Sequence, residues 1–422
     1  MKVGIIGAGY TGLSAAYTLQ KLGHEVTIFE KDSKPGGLAI GYKEKEWDWS
    51  LEKHYHHWFT NDTFVLDLAK EIGHDVEIVR PHTNWYVNEH IYAFDSVSAA
   101  LRFPELSLVD RLRNIATLGL LRLNPFWKPL EKINADTALP YLMGKKAYSL
   151  LWEPLLKNKF GNYANDISLA WFWARIKKRT QSLAYPAGGF LAFAERLVEV
   201  IEKNGGNVHV NTELTSLTSN GRVTLRTKST SATFDAVIVT TPSFLFLKLA
   251  ADLPDSYKKK LQQLKGLGAI NLILRLKKPF FSDNTYWLSI ADTTSPIMAI
   301  VEHTNFMDKK YYGGEHLIYL GNYLPHDHPY FTKSKKELLA IYDPFLRKIN
   351  PTYEETILGY EVFKAPFAQP IIPTNYSKHI PPLTTPLSNV FLANIEQVYP
   401  WDRGTNYAVE LGEKVARLAA RR

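Results

Sequence analysis

Gly7, Ala8, Gly9, Tyr10, Thr11 and Gly12 make a turn whose natural chemistry is anion binding. The first glycine permits a tight turn, the second lets a pyrophosphate approach the backbone, and the third lets a following helix pack closely on a sheet. Phosphates would then meet free N–H groups and the positive dipole end of that helix. Glu30 lies 18 residues past Gly12, where a carboxylate accepts hydrogen bonds from a ribose 2′-OH and disfavours a 2′-phosphate. Two further groups could act on a substrate. His56 and His57 sit in an aromatic run from Trp47 to Phe59, and Trp401, Asp402 and Arg403 sit near the C-terminus. The spacing of His54, His56 and His57, with Glu52, permits a metal site. The aromatic neighbours and the lack of a second histidine cluster favour the lining of a flat ring system, and no metal is expected. Asp402 and Arg403 read equally well as a structural ion pair.

These residues need elements to position them. Val3, Ile5 and Ile6 form an apolar run into Gly7, an amphipathic stretch carries Ala15 to Leu22 to a stop at Gly23, and Val26 to Phe29 is a second apolar run. That reads strand, turn, helix, strand. Lys31 follows, and then Gly36, Gly37, Leu38 and Ala39, a double glycine whose backbone can fold closely over a nucleotide. A helix is predicted to Ile72, capped by Asn61 or Asp62. Short strands follow at 76–79, 85–88 and 91–94, and helices fill 134–184 with Asp136 as a cap. Tyr185 to Phe190 is a glycine loop feeding a helix. Strands are predicted at 214–217 and 234–239, the latter closing on Thr240, Thr241 and Pro242. From 267 to 322 the pattern is again strand-rich. There Glu302 and His303, as neighbours on a strand, point to opposite faces, so at most one serves a pocket. A strand at 390–393 leads to Glu396, and a helix from Tyr407 closes the chain. Its approach through Gly404 and Thr405 offers a second set of backbone donors.

At 422 residues the chain suffices for two or three domain-sized units, and its lack of cysteine excludes disulfides, thiol nucleophiles and thiolate metal sites. Fifty Lys and Arg against 42 acids leave a net charge of +8, gathered in runs such as Lys258 to Lys260, Lys333 to Lys336, and Arg421 with Arg422. Solvated faces are the favoured reading of such runs, ahead of an anionic substrate or an anionic membrane surface. No nucleic-acid module accompanies the charge, and a small molecule is the expected partner. The chain opens directly on its first strand without a leader and carries no run of 18 apolar residues, so a soluble cytoplasmic protein is expected. One stretch offers peripheral membrane contact. Between Pro104 and Pro125, leucines at helical spacing alternate with Arg111, Arg113 and Arg122; a helix facing the core is favoured over an interfacial helix.

Together these motifs resemble the flavin-containing amine oxidase superfamily, in particular its protoporphyrinogen oxidase-like branch, related to UDP-galactopyranose mutase and phytoene desaturases. The likeness rests on Gly7 to Gly12 with Glu30, on Gly36 to Leu38, on Tyr185 to Phe190, on Leu214 and Thr240 to Pro242, and on the closing segment from Val390. It implies an α/β fold with a discontinuous, Rossmann-like FAD-binding domain built from 1–75, 183–255 and 385–422. An α+β substrate domain from 76–182, with a helical subregion, and 256–384 would be inserted in it. By the same resemblance the first loop holds the FAD pyrophosphate, Glu30 the adenosine ribose, and the Leu214 backbone the adenine, with Thr241 nearby. The segment from Gly36 to Ala39 and the Tyr185 loop run along the cofactor. Glu396 orients the ribityl or pyrophosphate region, and the backbone at Gly404 and Thr405 faces the pyrimidine end of the flavin. Asn394 and Ile395 replace the glycine usual before that acid. No cysteine can anchor the flavin, so FAD is expected to be noncovalent. Tyr360, Phe363 and Phe367 are the nearest candidates for the aromatic pair that encloses an amine in relatives. The implied activity is an FAD-dependent oxidoreductase taking a hydride from an amine, a polyene or a porphyrinogen-like substrate. The alternative is a redox-neutral mutase acting on a sugar nucleotide with reduced flavin. A second dinucleotide fingerprint is missing, which argues against a separate NADPH domain.

Overall fold

In a computed structural model, which describes residues 1–421, the elements that position the glycine turn are β1 (Lys2–Ile6), α1 (Tyr10–Lys21) and β2 (Glu25–Phe29). Later come α2 (Leu108–Leu123), α3 (Glu153–Phe160), α4 (Leu169–Lys178), β3 (Asn207–His209), β4 (Ala236–Val239), β5 (Val390–Leu392) and α5 (Thr405–Ala419). Arg422, part of the last basic run, lies outside the described residues.

The five strands form one parallel sheet in the order β3-β2-β1-β4-β5. Ile5 pairs with Ile28 on one side and Ile238 on the other, and all three are fully buried. Such unbroken apolar strands suit a parallel sheet covered on both faces. Against it α1 and α5 pack closely, because glycines remove the side chains between them. A Cβ on Gly12 would stand 2.0 Å from the Gly7 carbonyl oxygen, and one on Gly412 would stand 2.4 Å from that of Thr11.

A second sheet has seven strands, in the order 357–370, 266–276, 316–324, 299–302, 285–290, 82–87 and 90–93. Its pairings are antiparallel except that between 285–290 and 82–87. Glu52 ties the two halves together. Its carboxylate accepts the Tyr185 hydroxyl at 2.9 and 2.8 Å and the Phe190 amide at 2.9 Å. Its backbone carbonyl takes the hydroxyl of Tyr319, a strand residue of the second sheet, at 2.7 Å. Full burial lifts the Glu52 carboxyl to about 7, against the lowering effect of the Phe190 and Tyr185 bonds.

Four local expectations change. Asn134, not Asp136, stands at the start of its helix, and Asp136 falls in the first turn. The closing helix begins at Thr405, two residues earlier than its apolar pattern suggests. The Asp62 carboxylate does not cap the helix that follows it; one oxygen accepts the Phe59 amide at 2.8 Å. The stripe of α2 divides: Leu108, Leu112, Leu120 and Leu123 are exposed, while Leu121 is buried beside Asn114 and Thr117 and Leu118 packs against the core. Polar bonds set that rotation: Asn114 accepts Trp152 Nε1 at 2.9 Å, and the Thr117 hydroxyl donates to the Leu142 carbonyl at 2.8 Å. Satisfying two buried polar groups outweighs burying the leucine stripe, because an unpaired polar group inside costs more than an apolar one outside.

Gly12→Ala is expected to cost roughly 2–4 kcal/mol and lower the melting temperature, since backbone meets the new Cβ. Gly9→Ala, whose Cβ would find only the Gly37 Cα at 3.8 Å, should melt as wild type. Equal melting of both variants would refute the packing argument. Because the Glu52 pKa is raised on folding, its contribution is fully present below about pH 4.5 and is lost as pH rises through about 7. A Glu52→Gln variant should therefore lose less stability than wild type between pH 5 and pH 8, by on the order of 3 kcal/mol. Parallel melting curves of the two proteins across that range would refute the assignment.

Candidate functional site

One cavity of about 1210 Å³ runs between the two sheets. That exceeds the usual volume of a pocket for one small ligand, and suits a dinucleotide together with a substrate. At one end its wall is backbone. Gly7, with φ +104°, turns the chain from β1, and the N-terminus of α1 follows at Tyr10 and Thr11. Gly37 lies so close to this turn that a Cβ on it would stand 3.1 Å from the Gly9 Cα, and the Gly36 amide donates to the Ala8 carbonyl at 2.9 Å. Glu30 fastens the same turn. One carboxylate oxygen accepts the Ala8 amide at 2.8 Å and the other the Asp32 amide at 2.9 Å. Thr241 adds a hydroxyl oxygen that is buried at this wall with no partner among the described residues. From the opposite side Gly404 and Thr405 bring in the N-terminus of α5, so two helix starts face one cavity.

Farther along, the wall becomes aromatic and then cationic. His54, Tyr55, His56 and His57 line it with Trp287, Tyr323 and Phe363. Burial is the main cause that holds the imidazoles low: His54 at about 3, His56 at about 4 and His57 at about 3. All three are neutral at physiological pH and orient by hydrogen bonding. Asn271 Nδ2 and His54 Nδ1 lie 2.6 Å apart, and His57 Nδ1 lies 3.1 Å from the Tyr286 hydroxyl. Among the described residues no group of three metal-binding side chains converges.

The cationic part comes from two helices and the loop before α5. Lys159 of α3, Arg175 and Lys178 of α4, Arg179 just beyond it, and Arg403 all line the cavity. Lys159 stands over the rings of Tyr323, Trp171 and Phe160 at 5.1, 5.4 and 5.8 Å. Burial first, then Arg175 and Arg403, bring it down to about 7 against the opposing pull of Asp402. Arg179 is held down to about 10 by burial and by Arg175. Asp402 shares this neighbourhood. Burial opposes its ionisation, but Lys159, Arg403, Arg175 and the Trp171 hydrogen bond keep its pKa below the ordinary value. Asp402 Oδ1 accepts Trp171 Nε1 at 3.2 Å and the Arg403 amide at 3.0 Å. The Arg403 guanidinium turns elsewhere, to Gln369 Oε1 at 2.9 Å and to the Tyr323 hydroxyl, so the two neighbours do not form the ion pair their adjacency suggests.

Most residues singled out in the sequence meet at this cavity. Gly7, Gly9, Tyr10, Thr11, Glu30, Lys31, Gly36 to Ala39, His56, His57, Leu214, Thr241 and Asp402 to Thr405 all line it. Ala8 and Gly12 stand behind the wall as hydrogen-bond and packing partners. Glu396 is turned away, its carboxylate taking the amide of Ser243 at 2.9 Å and its hydroxyl. Trp401 stacks between Trp173 and Tyr407, at 5.2 and 6.0 Å. The Tyr185 loop serves Glu52 instead of the cavity, as do its glycines: a Cβ on Gly189 would stand 2.5 Å from the Ser50 carbonyl oxygen. Neither Glu302 nor His303 reaches the cavity. Glu302 accepts the Phe280 and Phe281 amides, and His303 Nε2 pairs with the Tyr312 hydroxyl. Of the three aromatic candidates, Phe363 and Phe367 line the wall. Sequence reasoning missed Lys159 and the α4 cations. The available signal was Arg175, Lys178 and Arg179, which share one helical face at three- and four-residue spacing.

The family described as flavin containing amine oxidoreductase matches residues 10–419. An L-amino acid oxidase of Crotalus durissus cumanensis is 26% identical over 311 residues, covering 66% of this chain and 61% of that protein. The chain thus spans about three fifths of that relative's length. Two solved structures share the fold. A putrescine oxidase bound to putrescine aligns with a TM-score of 0.77 at 16% identity, over 100% of both chains. A reduced UDP-galactopyranose mutase aligns with a TM-score of 0.77 at 15% identity, over 98% of this chain and 94% of that one.

A lysine that loses its proton near pH 7 beside two arginines makes anion binding pH-dependent. Sulfate, which does not titrate in this range, is expected to bind about tenfold more weakly at pH 8.5 than at pH 6. Lys159→Met should remove that step in calorimetric titration. A wild-type affinity that stays flat across pH 7 would contradict the assignment.

Proposed function

The chain belongs to the flavin containing amine oxidoreductase family, and on that premise we propose that it is an FAD-dependent oxidoreductase taking a hydride from an organic substrate onto noncovalently held FAD. One observation carries the reading: a single cavity joins a backbone cradle for a dinucleotide to an enclosed aromatic and cationic compartment. The residues present fit the cofactor. Gly9 and Gly37 leave open the space that a Cβ would fill, Thr241 holds an unpartnered buried oxygen, and two helix N-termini face the same region. The pyrophosphate falls to the start of α1, the adenosine ribose to Glu30 and the adenine to the Leu214 backbone. Gly404 and Thr405, at the start of α5, face the ring system. Bound flavin supplies the two-electron acceptor that side chains lack. All five strands of the parallel sheet come from 1–75, 183–255 and 385–422, which supports treating these segments as one cofactor domain.

The remaining steps belong to the chain. Tyr55, Trp287 and Phe363 exclude water, and His56 and His57, neutral and buried, orient polar groups of the substrate. Lys159, Arg175, Arg179 and Arg403 outnumber Asp402 nearby, which favours a substrate carrying an anionic group over a simple cationic amine. The same cations support a second reading, a redox-neutral mutase of a sugar nucleotide, whose diphosphate needs arginine and tyrosine partners such as Tyr55 and Tyr323.

Purified protein is expected to be yellow and to release intact FAD on heating, as noncovalent binding requires. Gly9→Val should retain the far-UV circular dichroism of wild type while losing most of its flavin. A colourless wild-type protein that FAD cannot reconstitute, or full flavin retention by the variant, would refute the cradle. Anaerobic bleaching by a carboxylated amine, polyene or porphyrinogen supports the oxidoreductase. Turnover of a sugar nucleotide only after dithionite reduction replaces it with the mutase.

A further inference from the structure

The outward side of α2 is apolar although its inward side, with Asn114, Thr117 and Leu121, already packs on the protein. Leu108, Val109, Leu112, Leu120, Leu123 and, just beyond the helix, Phe126 are between 52 and 78% exposed. Opposite them, Asn114 and Thr117 are buried and hydrogen-bonded. Scattered exposed leucines are ordinary, but a stripe recurring at 109, 112, 116, 120 and 123 is one continuous surface. A continuous surface of this kind fits an apolar partner.

Charge indicates what. Residues 97–147 carry eight Lys and Arg against four Asp and Glu. One of those acids, Glu131, is buried and spent on the Ser377 and Tyr399 hydroxyls. Arg113, Arg122, Lys128, Lys145 and Lys146 are exposed around the stripe. Protein interfaces are depleted in lysine, whereas aliphatic residues ringed by Lys and Arg suit the boundary between acyl chains and anionic headgroups. Sixteen residues make a helix of about 24 Å, which lies in that boundary without crossing it. Among the described residues no helix is long and apolar enough to span a membrane.

We propose that the outer face of α2, with Phe126 and the surrounding basic residues, docks the protein on an anionic lipid surface. The docked helix rests directly on the cavity wall. The Arg122 guanidinium donates to the Arg179 carbonyl at 2.7 Å, and Lys177 of α4 donates to the Arg122 carbonyl at 2.8 Å. Docking thus sets the cationic compartment one helix away from the headgroups. The docking proposal is independent of the redox reading, because it uses no residue of the cofactor cradle.

The test is flotation of the purified protein with vesicles of phosphatidylcholine alone or with about one third phosphatidylglycerol. Wild type should float with the anionic vesicles and lose at least about tenfold in affinity on going from low to high salt. Leu112→Glu with Leu120→Glu, both on the exposed stripe, should lose binding by a similar factor while melting as wild type. Lys145→Glu with Lys146→Glu should weaken binding to anionic vesicles with the leucines intact. Three results would overturn the proposal: no flotation of wild type with either vesicle, unchanged flotation of the leucine variant, or a dimer in light scattering that the leucine variant abolishes while neither protein floats.

Discussion

Close contact between backbone segments, without side chains between them, is the constraint on which the structure depends. Gly12 lies against the Gly7 carbonyl, Gly412 against that of Thr11, and Gly37 against Gly9. These contacts set α1 against both the parallel sheet and α5, so that the N-termini of both helices face one cavity. Glu30 then holds the turn in shape through the amides of Ala8 and Asp32. A carboxylate anchored by two amides is a charge-assisted arrangement, stronger than a neutral hydrogen bond. Its position at the end of β2 serves the loop's shape whether or not a ribose is present.

Glu52 performs the corresponding task between the sheets. Its unexposed carboxyl joins the strand at 51–52 to Tyr185 and Phe190, and its backbone carbonyl joins it to Tyr319, so that the residue ties both halves of the molecule. Burying a carboxylate is costly, and its pKa rises accordingly. The glycine loop at 188–189 exists to let this junction close, since Gly189 leaves room for the Ser50 backbone. A segment that reads as a nucleotide loop therefore acts as a structural hinge point between sheets.

Electrostatics divide the cavity along its length. The end at the glycine turn presents backbone dipoles, while the far end gathers Lys159, Arg175, Lys178, Arg179 and Arg403 against the acids Asp402 and Asp62. Desolvation there lowers the pKa of Lys159 to about 7, and the neighbouring arginines add to the effect. A compartment that holds like charges together in this way is least strained when an anion enters it.

The glycine turn, its acid and the strand-helix-strand around it were legible in the sequence because their geometry is local: each role depends on neighbours within about thirty residues. The parallel strands and the family followed from the same local patterns, repeated at 234–239 and 390–393. Long-range placement was not legible. Glu396 follows a strand as expected, yet Ser243 draws its carboxylate away from the cavity, and Trp401 is claimed by Trp173 and Tyr407. Lys159 and Arg175 lie on helices whose pattern is that of any solvated face; only the packing of α3 and α4 turns them inward. The leucines of α2 follow a core-like spacing, yet Leu108, Leu112, Leu120 and Leu123 face outward because Asn114 and Thr117 find partners inside beside Leu121. Periodicity specifies that a helix has two faces, and the hydrogen-bond partners supplied by the rest of the fold decide which of them is buried.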